Sequence, residues 1–331
     1  MEATRLDVDL PIEGQLPSFD GATGWLNSQP LTPTGLRGNV VLVDFWTYTC
    51  INWLRTLGYV RAWAENYEDQ GLVVVGVHTP EFPFEAEVDN VRQAAKDMTV
   101  EYPIALDSDY AVWTAFDNRY WPAVYIADAQ GRIRHHQFGE GGYEECERVI
   151  QRLLREAGRS GIGDDLVSVA DAGFEAQADW ANLGSPETYL GYAQAERFTS
   201  PGRAELDSSR IYAVPDRLEL NRWALAGDWT IESRAAVLNR PDGRIAFRFH
   251  ARDVHLVMGP RERGASVPFR VLVDGEPPGD AHGLDVDEHG NGTLAEQRLH
   301  QLVRQRGPIA DRTFEISFLA AGAEAYVFTF G

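Results

Sequence analysis

The sequence predicts two domains, an α/β domain followed by an all-β sandwich. Two observations predict the first domain. Continuous apolar runs at 40–46 and 72–77 are typical of strands buried in a parallel sheet, and the residues between them have helical apolar periodicity. A third observation predicts the second domain, because beyond residue 185 short strands with period-two alternation are separated by turns. A chain of 331 residues has room for two cores of ordinary size.

The first domain is predicted to follow the order β-α-β-α-β-β-α, with a short extra helix after the second long one. After strand 40–46, apolar residues recur every three or four positions from Cys50 to Asp69, which indicates a helix that Gly71 ends. Strand 72–77 comes next. The remaining elements are two helices, a β-hairpin and a last helix, at about 84–98, 109–116, 124–136 and 143–157.

The second domain begins after a segment rich in glycine and polar residues. We expect domain boundaries at 1–158 and 185–331, with 159–184 as the linker. Five of the predicted sandwich strands lie at 245–249, 254–258, 269–275, 314–318 and 326–330. The pattern favours a β jelly roll or a related sandwich.

Composition limits the classes of partner. The net charge is −20 and no basic stripe is present, so nucleic acid is an unlikely partner. No run of apolar residues is long enough for a membrane helix, and the first residues lack the pattern of a signal peptide. The protein is therefore either cytoplasmic or separated here from an export signal or anchor. Two distant cysteines form no zinc-ligand cluster, and we predict neither a metal site nor a cofactor.

Cys50 is the strongest catalytic candidate. It follows strand 40–46 and a short turn and opens a helix, where free backbone N–H groups and the helix dipole favour the thiolate. A redox pair would place its second cysteine three residues on, but Trp53 stands there. An indole cannot attack a mixed disulfide, so Cys50 would form such an adduct without resolving it.

Other side chains near the predicted site have weaker claims. Thr47 precedes Cys50 with a spacing that resembles part of a peroxiredoxin site, although the proline of that motif would fall at Val43. Arg119 could stabilise the thiolate if the fold brings it close, and His78 could titrate near neutrality at a strand end. Cys146 is expected to be a surface bystander, with a pKa raised by neighbouring glutamates.

The second domain offers candidates for binding rather than catalysis. Sugars stack on exposed aromatic rings, so Trp223, Trp229 and Tyr189 could form a glycan platform. The segment 285–292 superficially resembles a calcium loop, but its spacing favours an acidic turn.

Both domains match one known family. The segments DFWTYTC, GVHTPEF, NRYWPAVYIADAQGRIRHHQFGEGGYEE, SPETYLGY and AYVFTFG resemble the soluble C-terminal portion of the bacterial DipZ family. The resemblance implies a thioredoxin-like domain followed by a jelly roll like that of carbohydrate-binding modules. It also implies thiol–disulfide exchange on the extracytoplasmic side, in the periplasm or at the cell surface. Trp121-Pro122 matches the family's cis-proline position opposite the cysteine.

Two positions depart from the family pattern and shape the predicted function. The family's Cys-x-x-Cys pair becomes Cys50 and Trp53, and the proline eight residues after the first cysteine becomes Gly58. We therefore predict an enzyme of the thiol–disulfide oxidoreductase class that forms mixed disulfides without resolving them. Its expected partners are a thiol or disulfide protein, a membrane electron donor related to CcdA, and a glycan. The alternatives are a one-cysteine thiol peroxidase and a non-enzymatic module that binds a glycan or a partner protein.

Overall fold

The computed structural model describes residues 10–170 and 172–331, which form two compact units that divide between Ala176 and Gln177. The first unit is an α/β structure. Its strands are β1 (Gly14–Gln15), β2 (Gly24–Leu26), β3 (Val40–Trp46), β4 (Leu72–His78), β5 (Ile104–Leu106), β6 (Ala123–Ala127) and β7 (Arg132–Phe138). Its helices are α1 (Ile51–Tyr67), α2 (Val88–Asp97), α3 (Ala111–Ala115) and α4 (Tyr143–Glu156).

The strands of the first unit form one mixed sheet in the order β1-β7-β6-β3-β4-β5-β2. Strand β3 lies at its centre, parallel to β4 and antiparallel to β6, and all its residues are buried. The register pairs Val40 with Leu72 and Trp46 with His78, so β3 and β4 end side by side. The turn that leads to Cys50 starts at this edge. The α/β prediction is confirmed, although the sequence pattern does not indicate β5, because three residues are too few to show a periodicity.

Residues 164–170 and 172–175, expected to belong to the linker, pack on the helices of the first unit. The Glu147 carboxylate accepts a hydrogen bond from the backbone N–H of Val167 at 2.9 Å, and Arg61 pairs with Glu175 at 2.6 Å. At Gly58, an added Cβ would lie 2.5 Å from Cγ1 of Val169. The packing explains why a residue without a side chain suits this position in α1.

The second unit is all-β, as predicted. Its strands are β8 (Thr188–Tyr189), β9 (Ser209–Tyr212), β10 (Trp223–Ile231), β11 (Ala236–Leu238), β12 (Gly243–Phe249), β13 (Asp253–Pro260), β14 (Val267–Val273), β15 (Asn291–Leu294), β16 (Arg298–Arg304), β17 (Arg312–Phe318) and β18 (Ala323–Phe330). They run in the order β15-β14-β17-β12-β10-β11-β18-β13-β16, with β8 beside β18 and β9 beside β10. Their inward side chains share one apolar core, consistent with a sandwich. The jelly-roll topology stays a prediction.

Across the described parts of both units, no helix is both long and apolar enough to span a membrane.

Candidate active site

Cys50 lies at the end of the turn that connects strand β3 to helix α1. It is the N-cap residue of α1, its backbone is extended, and its carbonyl accepts the first helical hydrogen bond from Leu54 at 3.0 Å. Its side chain is partly exposed. The thiol donates a hydrogen bond to the carbonyl oxygen of Trp121 at 3.7 Å. The sulfur is therefore accessible and close to the unpaired N–H groups of the first helical turn.

The loop opposite the thiol is fixed by Trp121. The bond between Trp121 and Pro122 is cis, which confirms the prediction. The Trp121 indole donates to the carbonyl of Thr79 at 3.1 Å and packs on Trp113, with ring centroids 4.3 Å apart. Aromatic packing and a hydrogen bond to the end of β4 therefore hold this loop beside Cys50.

Trp53, in the first turn of α1, is a core residue. It is fully buried, its Nε1–H donates to Oδ2 of Asp44 at 2.9 Å, and its ring stacks on Trp46 with centroids 4.3 Å apart. Burial raises the pKa of Asp44 to about 7, although hydrogen bonds from Trp53 and Tyr102 oppose the shift. Trp53, which stands at the place of a second catalytic cysteine, therefore packs in the core and does not contact a substrate.

Glu85 is a site residue that the sequence pattern did not indicate. Its buried carboxyl group accepts hydrogen bonds from the Thr49 hydroxyl at 2.6 Å and from the backbone N–H of Phe82 at 2.9 Å. Burial raises the pKa of Glu85 despite these hydrogen bonds. The fully buried Thr47 side chain lies beside the same carboxyl group. Glu85 thus ties the turn before Cys50 to the segment after β4.

The structure shows where His78 and Arg119 lie, whose roles the sequence leaves open. His78 is fully buried between the rings of Trp46 and Tyr48, and loss of solvation lowers its pKa to about 3, so it stays neutral near neutrality. Arg119 lies on the surface, where it pairs with Asp117 at 3.3 Å. His78 therefore does not titrate near neutral pH, and Arg119 is a surface residue.

Cys146 is in the core rather than on the surface. It is 1% exposed, with its Sγ 3.7 Å from Nε2 of His135. Burial raises the pKa of Cys146 to about 12, and Glu145 adds to the shift. The expected direction is confirmed, but burial rather than the glutamates is its main cause. Both cysteines are free thiols.

The predicted glycan platform is largely wrong. Trp223 and Trp229 are fully buried, and their indole N–H groups donate to the carbonyls of Glu196 at 2.7 Å and Ala226 at 2.8 Å. Rings in a core cannot stack on a sugar. Tyr189 is partly exposed, its hydroxyl lies 3.2 Å from a Glu187 carboxylate oxygen, and its role in binding stays a prediction.

The segment 285–292 forms an acidic turn. Asp287 accepts hydrogen bonds from the backbone of His289 and Asn291, and Asp285 pairs with Arg298 at 2.6 Å. These carboxylates are therefore already engaged within the unit. Among residues 10–170 and 172–331, no group of three potential ligands is placed to hold a metal ion.

Comparisons with known proteins match both units. Residues 12–136 match the AhpC/TSA family, and residues 185–331 match a family described as thioredoxin like C-terminal domain. Protein DipZ of Mycobacterium tuberculosis is 39% identical over 267 residues, which are 80% of this chain and 37% of that protein. Thiol-disulfide oxidoreductase YkuV of Bacillus subtilis is 31% identical over 141 residues, 43% of this chain and 95% of YkuV.

A solved structure of a thioredoxin-like protein in the oxidised form is 32% identical, with a TM-score of 0.40, and covers 43% of this chain and 96% of that one. The chain spans little more than a third of the length of the DipZ relatives, and nearly the whole of YkuV is covered by 43% of this chain. The resemblance seen in the sequence is thus confirmed. Over the matched residues the chain is a homologue of DipZ, and its similarity to nearly the whole of YkuV shows that it contains a thioredoxin-like domain of the thiol–disulfide oxidoreductase type.

Proposed function

We propose that this chain is an extracytoplasmic thiol–disulfide exchange module that uses Cys50 as its single reactive thiol. One observation carries the proposal. A partly exposed thiol at a helix N-terminus faces a cis-proline loop, while the place of a resolving thiol is filled by the buried indole of Trp53. The location outside the cytoplasm rests on the family resemblance.

The exchange reaction would stop at the mixed disulfide between Cys50 and its partner. The Cys50 thiolate attacks one sulfur of a partner's disulfide, a new S–S bond forms, and the other partner sulfur leaves as a thiolate. Completing the cycle requires a second thiolate that attacks the mixed disulfide. Trp53 has no sulfur, and Cys146 is buried with a pKa raised to about 12. The adduct should therefore persist until an external thiol releases it.

The external thiol defines the partners that we propose. A substrate protein supplies the disulfide, and a membrane electron donor related to CcdA supplies the thiol that clears Cys50. The second unit would hold a glycan or a partner protein, with Tyr189 as the remaining aromatic candidate for a sugar contact.

The proposal is tested with a small aromatic disulfide, 5,5′-dithiobis(2-nitrobenzoate). Native protein should release one coloured thiolate per chain and keep the other half of the reagent on Cys50, as peptide mass mapping would show. The Cys50→Ser variant should release none, and Cys146→Ser, the matched control, should behave like the parent. An equal adduct on the Cys50→Ser protein would contradict the proposal.

A second candidate is a one-cysteine thiol peroxidase, which the match to the AhpC/TSA family favours. In that reaction the Cys50 thiolate attacks a peroxide oxygen and the O–O bond breaks, which gives a sulfenic acid and a hydroxide or alkoxide that takes a proton from solvent to leave as water or an alcohol. The burial of Thr47 beside Glu85 speaks against a direct role for its hydroxyl. Consumption of hydrogen peroxide in the presence of dithiothreitol, lost in Cys50→Ser, would identify this activity.

A further inference from the structure

We propose that Arg55 and Glu140 are a positioning pair that sets the distance between Cys50 and the cis-proline loop. The inference deepens the proposed function and rests on it, because it takes Cys50 as the reactive thiol. Neither side chain is placed to contact a substrate.

The pair is an ion pair inside the first unit. Nη1 of Arg55 lies 2.9 Å from Oε1 of Glu140, and the two side chains are 1% and 4% exposed. The second carboxylate oxygen of Glu140 is buried and has no hydrogen-bond partner among the described residues. Buried ion pairs often contribute less stability than apolar side chains of similar size would. A geometric role explains their presence here better than a stabilising one.

Glu140 connects Arg55 to a loop whose other residues are all glycines. The loop, Gly139-Glu140-Gly141-Gly142, precedes α4, and Glu140 carries its only side chain. Gly139, Gly141 and Gly142 all have left-handed backbone conformations, with φ of 74°, 98° and 64°. The backbone N–H of Gly139 donates to the carbonyl of Pro122 at 2.9 Å. The loop thus joins the ion pair to the cis-proline residue.

These contacts close a ring around the thiol. Helix α1 carries both Cys50, at its N-cap, and Arg55, and the pair leads through Glu140 and Gly139 to Pro122. The preceding carbonyl, that of Trp121, accepts the hydrogen bond from the Cys50 thiol. A bond in which the thiol is the donor stabilises the protonated form. Breaking the ion pair between Arg55 and Glu140 should weaken the hydrogen bond from the thiol to the Trp121 carbonyl and so favour the thiolate form of Cys50.

A separate contact holds α4 in place when the pair is lost. The Tyr143 ring stacks on Tyr59 with centroids 3.8 Å apart, and its hydroxyl lies 3.3 Å from Oγ1 of Thr56. Removing the Glu140 contact should therefore release the loop without detaching the helix. The Arg55–Glu140 ion pair, rather than the Tyr143 contacts, therefore connects α1 to the cis-proline loop.

Other titratable groups surround the same turn. Asp44 lies beneath it, bonded to Trp53, and Glu85 holds Thr49, the residue before Cys50. His78 is buried at the end of β4. All three are unchanged in the variants below, so their effects are common to every protein compared.

The test measures the rate at which iodoacetamide alkylates Cys50 in the full chain between pH 5 and 10, with peptide mass mapping. The variants are Glu140→Gln, which removes the charge, and Glu140→Asp, which keeps the charge but is too short to close the pair. Glu144→Gln and Glu144→Asp are matched controls, since Glu144 is 72% exposed in the first turn of α4. Thermal melts establish that each protein is folded.

Both Glu140 variants should shift the midpoint of the pH profile down by about half to one pH unit, the effect of losing one hydrogen bond. The controls should not shift it. A shift in Glu140→Gln alone would show a charge effect and overturn the positioning role, as would unchanged midpoints in folded variants. Loss of folding in both would overturn it too, by showing a purely structural pair. Absence of any titration at Cys50 in the parent would instead contradict the proposed function.

Discussion

Replacing Asp44 with asparagine should change how the stability of the protein depends on pH. Burial raises the pKa of Asp44 from its ordinary value of 3.8 to about 7. Because the folded value lies above the unfolded one, the folded chain binds more protons between them. The free energy of unfolding therefore falls as pH rises from about 4 to about 7, and this contribution is flat beyond.

The magnitude follows from the two pKa values. At about 1.4 kcal/mol per pH unit, the contribution of Asp44 to the free energy of unfolding should fall by about 2–3 kcal/mol between pH 5 and pH 8. Asparagine does not titrate, so Asp44→Asn lacks this loss. Its amide oxygen can still accept the indole N–H of Trp53, but its buried NH₂ group costs about 1–3 kcal/mol at every pH. The slope, rather than the absolute stability, is therefore diagnostic.

Urea unfolding of parent and variant at pH 5, 6, 7 and 8 measures this difference. The neutral His78, with a pKa lowered to about 3, has the opposite effect on stability, which rises with pH until the unfolded histidine has lost its proton. His78 is present in both proteins, so its effect cancels when the two free energies of unfolding are subtracted. The variant should gain about 2–3 kcal/mol relative to the parent from pH 5 to pH 8. Parallel curves would refute the reasoning about Asp44.

Two further predictions concern Cys146 and Gly58. At pH 7, iodoacetamide should modify Cys50 at least tenfold faster than Cys146, because burial and a pKa raised to about 12 protect the second thiol, and equal rates in a mass map would contradict this. Gly58→Ala should lose about 1 kcal/mol, because contact with Val169 costs more than helix propensity returns. In a Val169→Ala background, where the flexible Glu175 carboxylate 2.9 Å from the added Cβ is the remaining close group, the same change should cost less, and an identical effect in both backgrounds in urea unfolding would show that the contact with Val169 is unimportant.

The site could be located from the sequence because its signals are local. A continuous apolar run predicts β3, the turn and helical periodicity predict the placement of Cys50, and a matched motif predicts the cis bond before Pro122. The buried hydrogen bonds that hold the site in place could not be predicted in the same way, because they join segments far apart in the sequence or depend on packing. The bond between Trp53 and Asp44 depends on how α1 packs on β3, and Glu85 reaches the turn from another segment.

In the second unit, the sequence pattern could not show which face of a strand is buried. Trp223 and Trp229 are six positions apart on β10 and so point to the same face of the strand. Period-two alternation shows that two faces exist, but it does not show which one covers the core. The alternation alone therefore leaves an exposed platform open, although aromatic residues on sandwich strands more often lie in the core, as these two do.

Restoring the missing sulfur tests the proposed half-reaction most directly. In Trp53→Cys a second thiol would stand three residues along α1 from Cys50, next to the buried Asp44 carboxyl group. Replacing a buried indole by a small side chain should cost about 3–5 kcal/mol through the cavity, so a thermal melt must first show a folded protein. Insulin reduction with dithiothreitol and the lifetime of the Cys50 adduct are then compared with the parent.

We expect the parent to hold the adduct without turnover, and the folded Trp53→Cys protein to release it and reduce insulin repeatedly. A parent that reduces insulin as fast as the variant would contradict the proposal that Cys50 works without a resolving thiol.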